Sequence, residues 1–513
     1  MSFSPLIEAM LQPGFYDHVV QSVQLIQTHI SYVFLTGEFA YKVKKPVNFG
    51  FLDFSSLDKR QFFCQEELRL NKRLAPDLYL AVLPIYSHND RFSFASNNSE
   101  PIEYVVKMRQ FPQEQLLINL FERGELTFEH ITTIGRQIAQ FHQIAATNEH
   151  INQFGTSQAM AKVAEDNYNH TKSYIGRGQT QFQFDQTRQY TDCFFKEHQA
   201  DFNLRIAQNK IRECHGDLHL KNICLWQNQI QIFDCIEFNE PFRNSDVLYD
   251  IAFLFMDLEF RGRPDFANRL LNVYLEETND YEGLMFMPLF CSMRAYIRAK
   301  VTSFLLDDPN IPDDAKTIAQ QEASAYYQLA YKYTQKNSNS PQVILTCGLS
   351  GAGKSTIARQ VAVRLNAIHI RSDAIRKHLA GISLKERGDQ SIYSAEMTQG
   401  TYDRLLELAQ LLTEQGFTVI LDAKYDRFYL RQKVREGVKF PIKIIHCVAD
   451  MDILAERLER RAQEKSDIAD ATTDLLAKQQ LEFETFSPSE IDHVIPLNTD
   501  QQIDYDGLIE KLR

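Results

Sequence analysis

One stretch determines the architecture of the C-terminal part of the chain: Val343-Ile-Leu-Thr-Cys-Gly348-Leu-Ser-Gly-Ala-Gly353-Lys354-Ser-Thr356. Its apolar start predicts a buried strand, and its end follows the pattern G-x-x-x-x-G-K-[S/T]. Glycines in such a loop let backbone N–H groups converge on phosphate oxygens, and the helix that follows adds the positive end of its dipole. Lys354 is predicted to be catalytic as well. The residues predicted to bind ATP here are Gly348, Leu349, Ser350, Gly351, Ala352, Gly353, Lys354, Ser355 and Thr356.

Short apolar runs alternate with helical patterns from residue 343 onward. The runs cover residues 343–347, 367–370, 418–422 and 442–448. This alternation predicts a parallel sheet in an α/β domain. Because ligands bind at the carboxyl ends of such strands, polar residues that follow the runs are candidate site residues.

The second apolar run is followed by Arg371-Ser-Asp373-Ala-Ile-Arg376. Asp373 is predicted to accept a proton from a substrate hydroxyl, and Arg376, one helical turn later, to hold an anionic group or the transferred phosphate. Both are therefore predicted to be catalytic. The alternative is that Asp373 caps a helix and Arg376 is a solvated charge.

Two further features predict the metal site and a lid. Asp422 ends the third apolar run and, with Ser355, is predicted to hold Mg²⁺, unless it is an ordinary turn residue. Arg457, Arg460 and Arg461 share a helical face just before the polar segment 462–470. The pattern resembles small kinases in which such a basic helix is the lid that closes on the phosphates, which implies that Arg457 and Arg461 contact ATP. The alternative is a solvated helix whose arginines pair with neighbouring glutamates.

Together these residues resemble the P-loop small-molecule kinases of the gluconate and shikimate kinase type. The element Ser372-Asp373-x-x-Arg376 also resembles the kinase domain of polynucleotide kinases. One departure lies at Lys424-Tyr425, where the family's strand-end motif would have Thr-Phe. That departure leaves the local geometry of the acceptor site open.

A second chemical motif lies earlier in the chain, at His215-Gly-Asp217-Leu-His-Leu-Lys-Asn222. It has the spacing H-x-D-x-x-x-x-N, and the strand-turn-strand pattern that follows leads to Asp234. This spacing predicts Asp217 as the catalytic base and Asn222 and Asp234 as metal ligands. Asp246 and Asp250, near Arg243, are predicted to brace the loop as structural carboxylates and not to be catalytic.

The region before this motif is predicted to supply a lysine and a glutamate for ATP. Lys42 and Lys44 lie on one face of a predicted strand, and Lys42 is preferred because Ala40 precedes it in an A-x-K pattern. On the helix predicted at 57–74, Glu67 lies on the apolar stripe, whereas Glu66 aligns with arginines. An acidic residue on an apolar stripe needs a buried partner, so Lys42 with Glu67 is the predicted pair. Lys44, Glu66 and ordinary surface charges remain the alternatives.

Residues 20–335 resemble the aminoglycoside phosphotransferase family. The glycine-rich loop of protein kinases is absent, because only Thr36-Gly37 precedes the lysine strand, and Gly216 stands in the catalytic loop. The whole chain resembles bacterial fusions of such a domain with a P-loop kinase.

The predicted fold therefore has two domains. Residues 1–335 form a bilobal, protein-kinase-like α+β domain, with a small lobe at about 20–110 and a helical large lobe at 112–335. Residues 336–342 form a polar linker, and residues 343–513 form an α/β P-loop kinase domain with a parallel sheet.

Composition limits the possible partners. The 513 residues carry 67 acidic and 55 basic side chains, and the net charge of −12 disfavours a nucleic-acid or anionic-lipid partner. No apolar run is long enough to span a membrane, and no signal peptide is evident. The eight cysteines lack a C-x-x-C pair, which predicts reduced thiols in a cytoplasmic protein. The sequence does not specify an oligomeric state.

The predicted function is ATP- and Mg²⁺-dependent phosphoryl transfer by two kinase modules to hydroxyl groups of small polar metabolites. One alternative makes one module a nucleotide-sensing regulator without chemistry of its own. Another makes the P-loop module a kinase of polynucleotide 5′-hydroxyl groups. The resemblance names neither acceptor.

Overall fold

The structure is a computed structural model, and it describes residues 4–50, 52–89, 91–96, 99–335, 340–464, 468 and 473–513. The chain divides into two compact units. The first unit consists of Met1–His130, Phe141–Ser173 and Arg188–Asp257, and the second consists of Ile131–Gln140, Tyr174–Thr187 and Leu258–Arg513.

The described part of the chain is built from the following elements. The strands are β1 (Gln24–Gln27), β2 (Ser31–Leu35), β3 (Phe39–Lys44), β4 (Tyr79–His88), β5 (Arg91–Ser93), β6 (Pro101–Arg109), β7 (Ile211–Glu213), β8 (Ile223–Trp226), β9 (Gln229–Ile232), β10 (Asn244–Asp246), β11 (Val343–Cys347), β12 (Ile368–Arg371), β13 (Val419–Asp422), β14 (Ile442–Val448) and β15 (Val494–Asn498). The α-helices are α1 (Pro5–Met10), α2 (Leu57–Asn71), α3 (Leu117–Glu122), α4 (Phe128–Ile144), α5 (Glu149–Asn152), α6 (Ser157–Thr171), α7 (Gln181–Glu197), α8 (Gln199–Ala207), α9 (Glu240–Arg243), α10 (Val247–Phe260), α11 (Pro264–Thr278), α12 (Met287–Phe304), α13 (Asp313–Tyr333), α14 (Lys354–Leu365), α15 (Ser372–Leu379), α16 (Ala395–Glu414), α17 (Phe428–Gly437), α18 (Met451–Glu464), α19 (Leu476–Glu482) and α20 (Tyr505–Leu512).

The first unit contains an antiparallel sheet of six strands in the order β1-β2-β3-β6-β4-β5. Helix α2 packs on this sheet and buries Cys64, Glu67, Leu70 and Asn71, which recur at helical spacing on one face. Ser56 begins the helix, because its side chain accepts a hydrogen bond from the backbone N–H of Lys59. Glu67 therefore enters the interior because of its place in the helical repeat.

The second unit contains a parallel sheet of five strands in the order β12-β13-β11-β14-β15. Strands β11, β12 and β13 are buried along their whole length, as parallel strands covered on both faces should be. Four of these strands lie where the sequence predicts them. The prediction missed β15, which contains Pro496 and lies at the edge of the sheet, where proline is tolerated.

The division by packing differs from the predicted division of the chain. Residues 258–335, which the sequence assigns to the first domain, lie in the same compact unit as the parallel sheet. Linker residues 336–339 lie outside the described part of the chain. A compact unit groups residues that contact each other, whereas the predicted domains are continuous stretches of the chain. The predicted domain bounds therefore stay a prediction.

Two simple expectations can be compared with the structure. All of the cysteines are free thiols, and all except Cys193 are buried. No helix in the described ranges combines the length and the apolar character that crossing a membrane requires.

Candidate active sites

The loop from His215 to Asn222 connects β7 to β8, and a buried carboxylate holds it. The backbone N–H groups of His215 and Gly216 donate to the two oxygens of Asp250 at 3.1 and 2.7 Å. Gly216 has φ = 89°, and a Cβ there would lie 2.9 Å from the carbonyl oxygen of Phe242. The loop thus requires glycine at this position. Asp250 has the bracing contacts that the sequence predicts for it, whereas Asp246 accepts hydrogen bonds from Arg205 at 2.7 and 2.6 Å.

Asp217 and Asn222 face each other across this loop. The amide nitrogen Nδ2 of Asn222 donates to Oδ2 of Asp217 at 3.0 Å and to its backbone oxygen at 3.0 Å. His219 Nε2 lies 3.3 Å from the same Oδ2, and the Asp217 side chain is one-third exposed. A carboxylate that is oriented in this way and still reached by solvent can accept a proton from a bound hydroxyl.

The β8–β9 hairpin returns the chain to Asn222 and delivers Asp234. The N–H of Phe233 donates to the carbonyl of Asn222 at 3.0 Å, so the two predicted metal ligands belong to neighbouring backbone segments. Asp234 has a left-handed φ of 63°, which turns the chain sharply after β9. Its side chain is 45 % exposed, which leaves carboxylate oxygen accessible to an ion.

Both lysines of β3 contact Glu67. Lys42 Nζ lies 2.8 Å from Glu67 Oε1 and donates to Asp234 Oδ1 at 2.8 Å. Lys44 Nζ donates to Glu67 Oε2 at 2.6 Å and also contacts Glu237. Lys42 is therefore the lysine that reaches Asp234. Lys44 is 1 % exposed and lies in the interior with Glu67 and Glu237.

Glu66, the alternative acid, lies elsewhere. Its carboxylate accepts hydrogen bonds from Arg69 at 3.0 and 2.8 Å, on the exposed side of α2. The two glutamates are adjacent in sequence but face in different directions because a helix turns by about 100° per residue.

The charges of this cluster determine its ionisation. Burial raises the pKa of Glu67, but the two lysines outweigh this effect and hold the pKa at about 2. Burial lowers the pKa of Lys42, and the charges of Asp234 and Glu67 raise it well above the usual value. Burial raises the pKa of Glu237, against the opposing charge of Lys44. Lys42 is thus positively charged, and its ammonium lies beside the predicted metal ligand Asp234.

Replacing Glu67 by glutamine should lower the free energy of unfolding of the first unit by about 3–5 kcal/mol, because two buried lysines lose their shared partner. Trp226 is the one tryptophan of the chain and lies on β8, so its fluorescence during urea titration reports on this unit. Glu66→Gln is the matched control and should lower the free energy of unfolding by less than about 1 kcal/mol.

The pH dependence gives a second test of Glu67. The pKa of Glu67 is lower in the folded state than in the unfolded state. Its contribution to the free energy of unfolding is therefore fully present above the unfolded-state pKa of 4.5 and is lost as the pH falls toward about 2. The wild type should therefore lose more stability between pH 5 and 3 than Glu67→Gln. Equal losses would contradict the described ion pairs.

In the second unit, the loop after β11 contains backbone that only glycine can supply. Gly348 has φ = 138°, and a Cβ there would lie 2.3 Å from the carbonyl oxygen of Cys447 on β14. Gln479 of α19 covers the loop, because its Oε1 accepts the N–H of Ser350 at 3.0 Å and its Nε2 donates to Ser350 Oγ at 3.1 Å. Sequence reasoning missed Gln479, since a lone glutamine in a polar helix carries no motif.

Asp422 ends β13 and lies buried beside the loop. Thr346 Oγ1 donates to its Oδ1 at 3.0 Å, and His369 Nε2 lies 3.0 Å from its Oδ2. Burial raises the pKa of Asp422, but the hydrogen bond and charge of His369, the charge of Arg371 and the hydrogen bond from Ser355 hold it well below the usual range. Asp422 is ionised and next to Ser355, so the two predicted metal ligands are together.

Lys354 opens α14 and lies near the same carboxylates. Its Nζ donates to the carbonyl of Leu349 within the loop at 2.8 Å. Burial lowers the pKa of Lys354, while the nearby charges of Asp422 and Asp373 oppose that effect. Asp373 therefore lies within electrostatic reach of the loop lysine.

A cleft of about 1340 Å³ brings most of the predicted residues of this unit together. Its walls also carry basic residues to which the sequence assigned no binding role, among them Arg387, Lys424 and Arg427. Leu349 and Ala352 instead line a smaller pocket beside the loop. The predicted residues on the cleft wall are Ser350, Gly351, Gly353, Lys354, Ser355, Thr356, Asp373, Arg376, Asp422, Arg457 and Arg461.

The contacts of Asp373 and Arg376 do not fit the alternative in which Asp373 caps a helix and Arg376 is a solvated charge. The N-cap of α15 is Arg371, so Asp373 lies in the first turn and not at the cap. Arg376 is buried, and its Nη1 donates to the carbonyl of Ile392 at 2.8 Å and to Thr398 Oγ1 at 3.2 Å. Arg376 thus anchors the segment that enters α16 while still lining the cleft.

Arg457 connects the predicted lid helix to the loop. Its guanidinium donates to the carbonyl and hydroxyl oxygens of Thr499 at 2.7 and 3.0 Å and to the carbonyl of Gly351 at 3.4 Å. Arg461 lines the cleft one turn later. Residues 465–467 and 469–470, in the polar segment after the predicted lid helix, lie outside the described residues.

Both units offer oxygen ligands of the kind that Mg²⁺ prefers. Asn222 and Asp234 supply them in the first unit, and Ser355 and Asp422 supply them in the second. The residues present therefore fit a magnesium ion at each site.

Two family models match the chain. Residues 65–287 match a model described as phosphotransferase enzyme family, and residues 343–486 match a model described as AAA domain, which corresponds to the P-loop part. The matches confirm the predicted resemblance, the kinase-like and P-loop fold classes and the prediction that the chain is a kinase.

Individual relatives and one solved structure are also similar to this chain. Over 470 residues the chain is 29% identical to an uncharacterized protein of Mycobacterium tuberculosis, a match that covers 90% of this chain and 91% of the relative. Over 136 residues it is 32% identical to the adenylyl-sulfate kinase of Bacillus velezensis, covering 25% of this chain and 63% of that protein. The solved structure of a choline/ethanolamine kinase family protein from Mesorhizobium loti is 12% identical, with a TM-score of 0.36, and the match covers 64% of this chain and all of that one (100%).

Proposed function

We propose that this chain, a phosphotransferase that joins a kinase-like domain to a P-loop kinase domain, transfers the γ-phosphate of ATP to hydroxyl groups of small polar molecules at two sites. One observation supports this most directly: each unit supplies its own lysine, metal-type carboxylate and base-type carboxylate. The first set is Lys42, Asp234 and Asp217, and the second is Lys354, Asp422 and Asp373.

In the first site, Asp217 is the group that takes the proton of the acceptor hydroxyl. The oxygen so activated attacks the γ-phosphorus, and the bond from that phosphorus to the oxygen of ADP breaks. Asn222 keeps Asp217 oriented through its amide, and Lys42 places positive charge where the phosphates carry negative charge. Bound Mg²⁺ would neutralise phosphate charge, and Asn222 and Asp234 are the residues that would hold it.

In the second site, the backbone of the loop after β11 binds phosphate oxygens, and Lys354 adds a point charge. Asp373 takes the proton of the acceptor hydroxyl as its oxygen attacks the γ-phosphorus. Arg376 and the other basic residues of the cleft stabilise the phosphoryl group or an anionic part of the acceptor. Ser355 and Asp422 are the residues that would hold Mg²⁺.

Two observations favour a small acceptor at the second site over a nucleic acid. The whole chain has a net charge of −12, and the match to adenylyl-sulfate kinase of Bacillus velezensis names an enzyme of a small molecule. The proposal extends to a cytoplasmic location, and it leaves the identity of both acceptors and the oligomeric state open.

Product analysis with one site disabled at a time tests whether both sites perform chemistry. The full chain is incubated with ATP, Mg²⁺ and a fractionated metabolite extract, and phosphorylated products are identified by mass spectrometry. Lys42→Ala should remove one product and Lys354→Ala a different one, because the two sites share no residues. If one variant yields every product of the wild type, the site it disables is a regulator and not an enzyme.

A further inference from the structure

Helix α11 completes the outer edge of the parallel sheet. Strand β12 is the edge strand, so backbone groups on its outer side need partners from elsewhere. Asn272 Oδ1 accepts the N–H of His369 at 2.7 Å, and Asn272 Nδ2 donates to the carbonyl of Ala367 at 3.0 Å. A neighbouring parallel strand would bond the same two groups, so one asparagine side chain substitutes for a strand here.

The contacts of α11 continue to the carboxylate that is proposed to hold Mg²⁺. His369, whose backbone Asn272 binds, contacts Asp422 Oδ2 through its side chain at 3.0 Å. Asn272 is buried, as is Asn268 one turn earlier, which donates to the carbonyl of Ala367 at 3.0 Å. The position of Asp422 thus depends on α11 through one intervening residue.

Glu276, one turn after Asn272, reaches the same carboxylate by a second route. Its Oε2 lies 3.6 Å from Nη1 of Arg371, and Nε of Arg371 lies 3.8 Å from Asp422 Oδ2. Glu276 and Asp422 therefore share one buried arginine. The backbone carbonyl of Glu276 also accepts a hydrogen bond from His378 Nε2 at 2.8 Å, on the helix that carries Asp373 and Arg376.

We infer that Asn272 and Glu276 of α11 are positioning residues of the second phosphotransfer site. Asn272 fixes β12, and Glu276 shares the charge of Arg371 so that Asp422 keeps its negative charge available to a divalent cation. The inference rests on the proposed role of Asp422 as a metal ligand. Helix α11 lies within residues 65–287, so a segment that matches the phosphotransferase family supports the site of the P-loop domain.

The physical reason is competition for Asp422. Without the carboxylate of Glu276, Arg371 has one acidic neighbour fewer and attracts Asp422 more strongly, and a tighter Arg371–Asp422 pair opposes binding of a cation to the same oxygen. Glu276→Gln should therefore weaken divalent-ion binding at the second site by about tenfold, the size expected from strengthening one partly buried ion pair.

The experiment measures Mn²⁺ binding in the presence of AMP-PNP by electron paramagnetic resonance. The protein is the full chain with Asp234→Asn, so that the second site dominates the signal. Glu276→Gln should raise the Mn²⁺ dissociation constant about tenfold, and Glu276→Asp should recover most of the loss. The neighbour Glu277, which lies 3.4 Å from Arg136, provides the matched control, and Glu277→Gln should change nothing.

A double variant tests the mechanism itself. Arg371→Gln added to Glu276→Gln removes the competitor and should restore Mn²⁺ affinity, a coupling that general loss of structure would not produce. In ATP turnover, Glu276→Gln should raise the Mg²⁺ concentration for half-maximal rate and leave kcat at saturating Mg²⁺ within about twofold. If Glu276→Gln does not fold, Arg371→Gln alone should bind Mn²⁺ more tightly than the wild type.

Asp422→Asn distinguishes the proposed metal site from the proposed role of α11. If Asp422→Asn lowers Mn²⁺ affinity and Glu276→Gln does not, the role of α11 is wrong while the proposed metal site stands. If Asp422→Asn also leaves Mn²⁺ affinity unchanged, the proposed metal site is wrong.

Discussion

Replacing Asp217 by asparagine should reduce phosphoryl transfer at the first site by about 10²- to 10⁴-fold, while ATP affinity stays within a few fold of the wild type. The amide has nearly the same shape and can still accept the hydrogen bond from Asn222, so the loop should keep its conformation. What the substitution removes is the group that takes the hydroxyl proton. Nucleotide binding is assigned to Lys42 and the metal ligands, which are unchanged.

The measurement needs a chain in which only the first site is active. Lys354→Ala provides that background, and transfer of labelled phosphate from ATP to the active metabolite fraction gives the rate. Asp58→Asn, an exposed aspartate on α2, is the matched control and should retain full activity. Wild-type rates in the Asp217→Asn chain would show that another group is the base.

The sequence predicted those parts of each site that lie on contiguous motifs. The loop 348–356 and the run from His215 to Asp234 are such motifs, because each is a short continuous segment with locally encoded geometry. The first joins β11 to the start of α14, and the second is a loop followed by the β8–β9 hairpin. Glu67 could be predicted as well, since an acid on the buried stripe of α2 requires a cationic partner.

The remaining features depend on pairings between distant segments. Lys44 shares Glu67 with Lys42 and reaches Glu237, which lies 193 positions away in the chain. Asn272 supports β12 from 97 positions earlier. On a helix such as α11, asparagine has the pattern of an ordinary polar residue, so periodicity cannot distinguish a solvated side chain from one that completes a sheet edge.

Replacing Asp373 by asparagine should reduce transfer at the second site by about 10²- to 10⁴-fold without loss of ATP affinity, if Asp373 is the base of that site. The loop residues that bind the phosphates are unchanged. The background for this measurement is Asp217→Asn, in which the first site is inactive. Asp506→Asn, at the first turn of α20, serves as the control and should be fully active.

Arg376 requires a different substitution because its contacts are partly structural. Arg376→Ala would also release the carbonyl of Ile392 and the hydroxyl of Thr398, so a loss of activity would be ambiguous. Arg376→Lys keeps a charge but cannot reproduce the planar guanidinium. If Arg376 grips an anionic acceptor, this variant should mainly raise the acceptor KM, whereas contact with the transferred phosphoryl group should mainly lower kcat.

The same assay separates a metabolite from a nucleic-acid acceptor. A polynucleotide makes several phosphate contacts, so its binding should weaken steeply with salt, with a log–log slope of about −0.7 per contact on single strands. A small acceptor held by Arg376 and a few neighbours should respond far less between 50 and 300 mM salt, because most of its contacts lie within the cleft. Salt-sensitive labelling of oligonucleotide 5′ ends that disappears in Asp373→Asn would therefore overturn the small-molecule proposal and keep the assignment of the base.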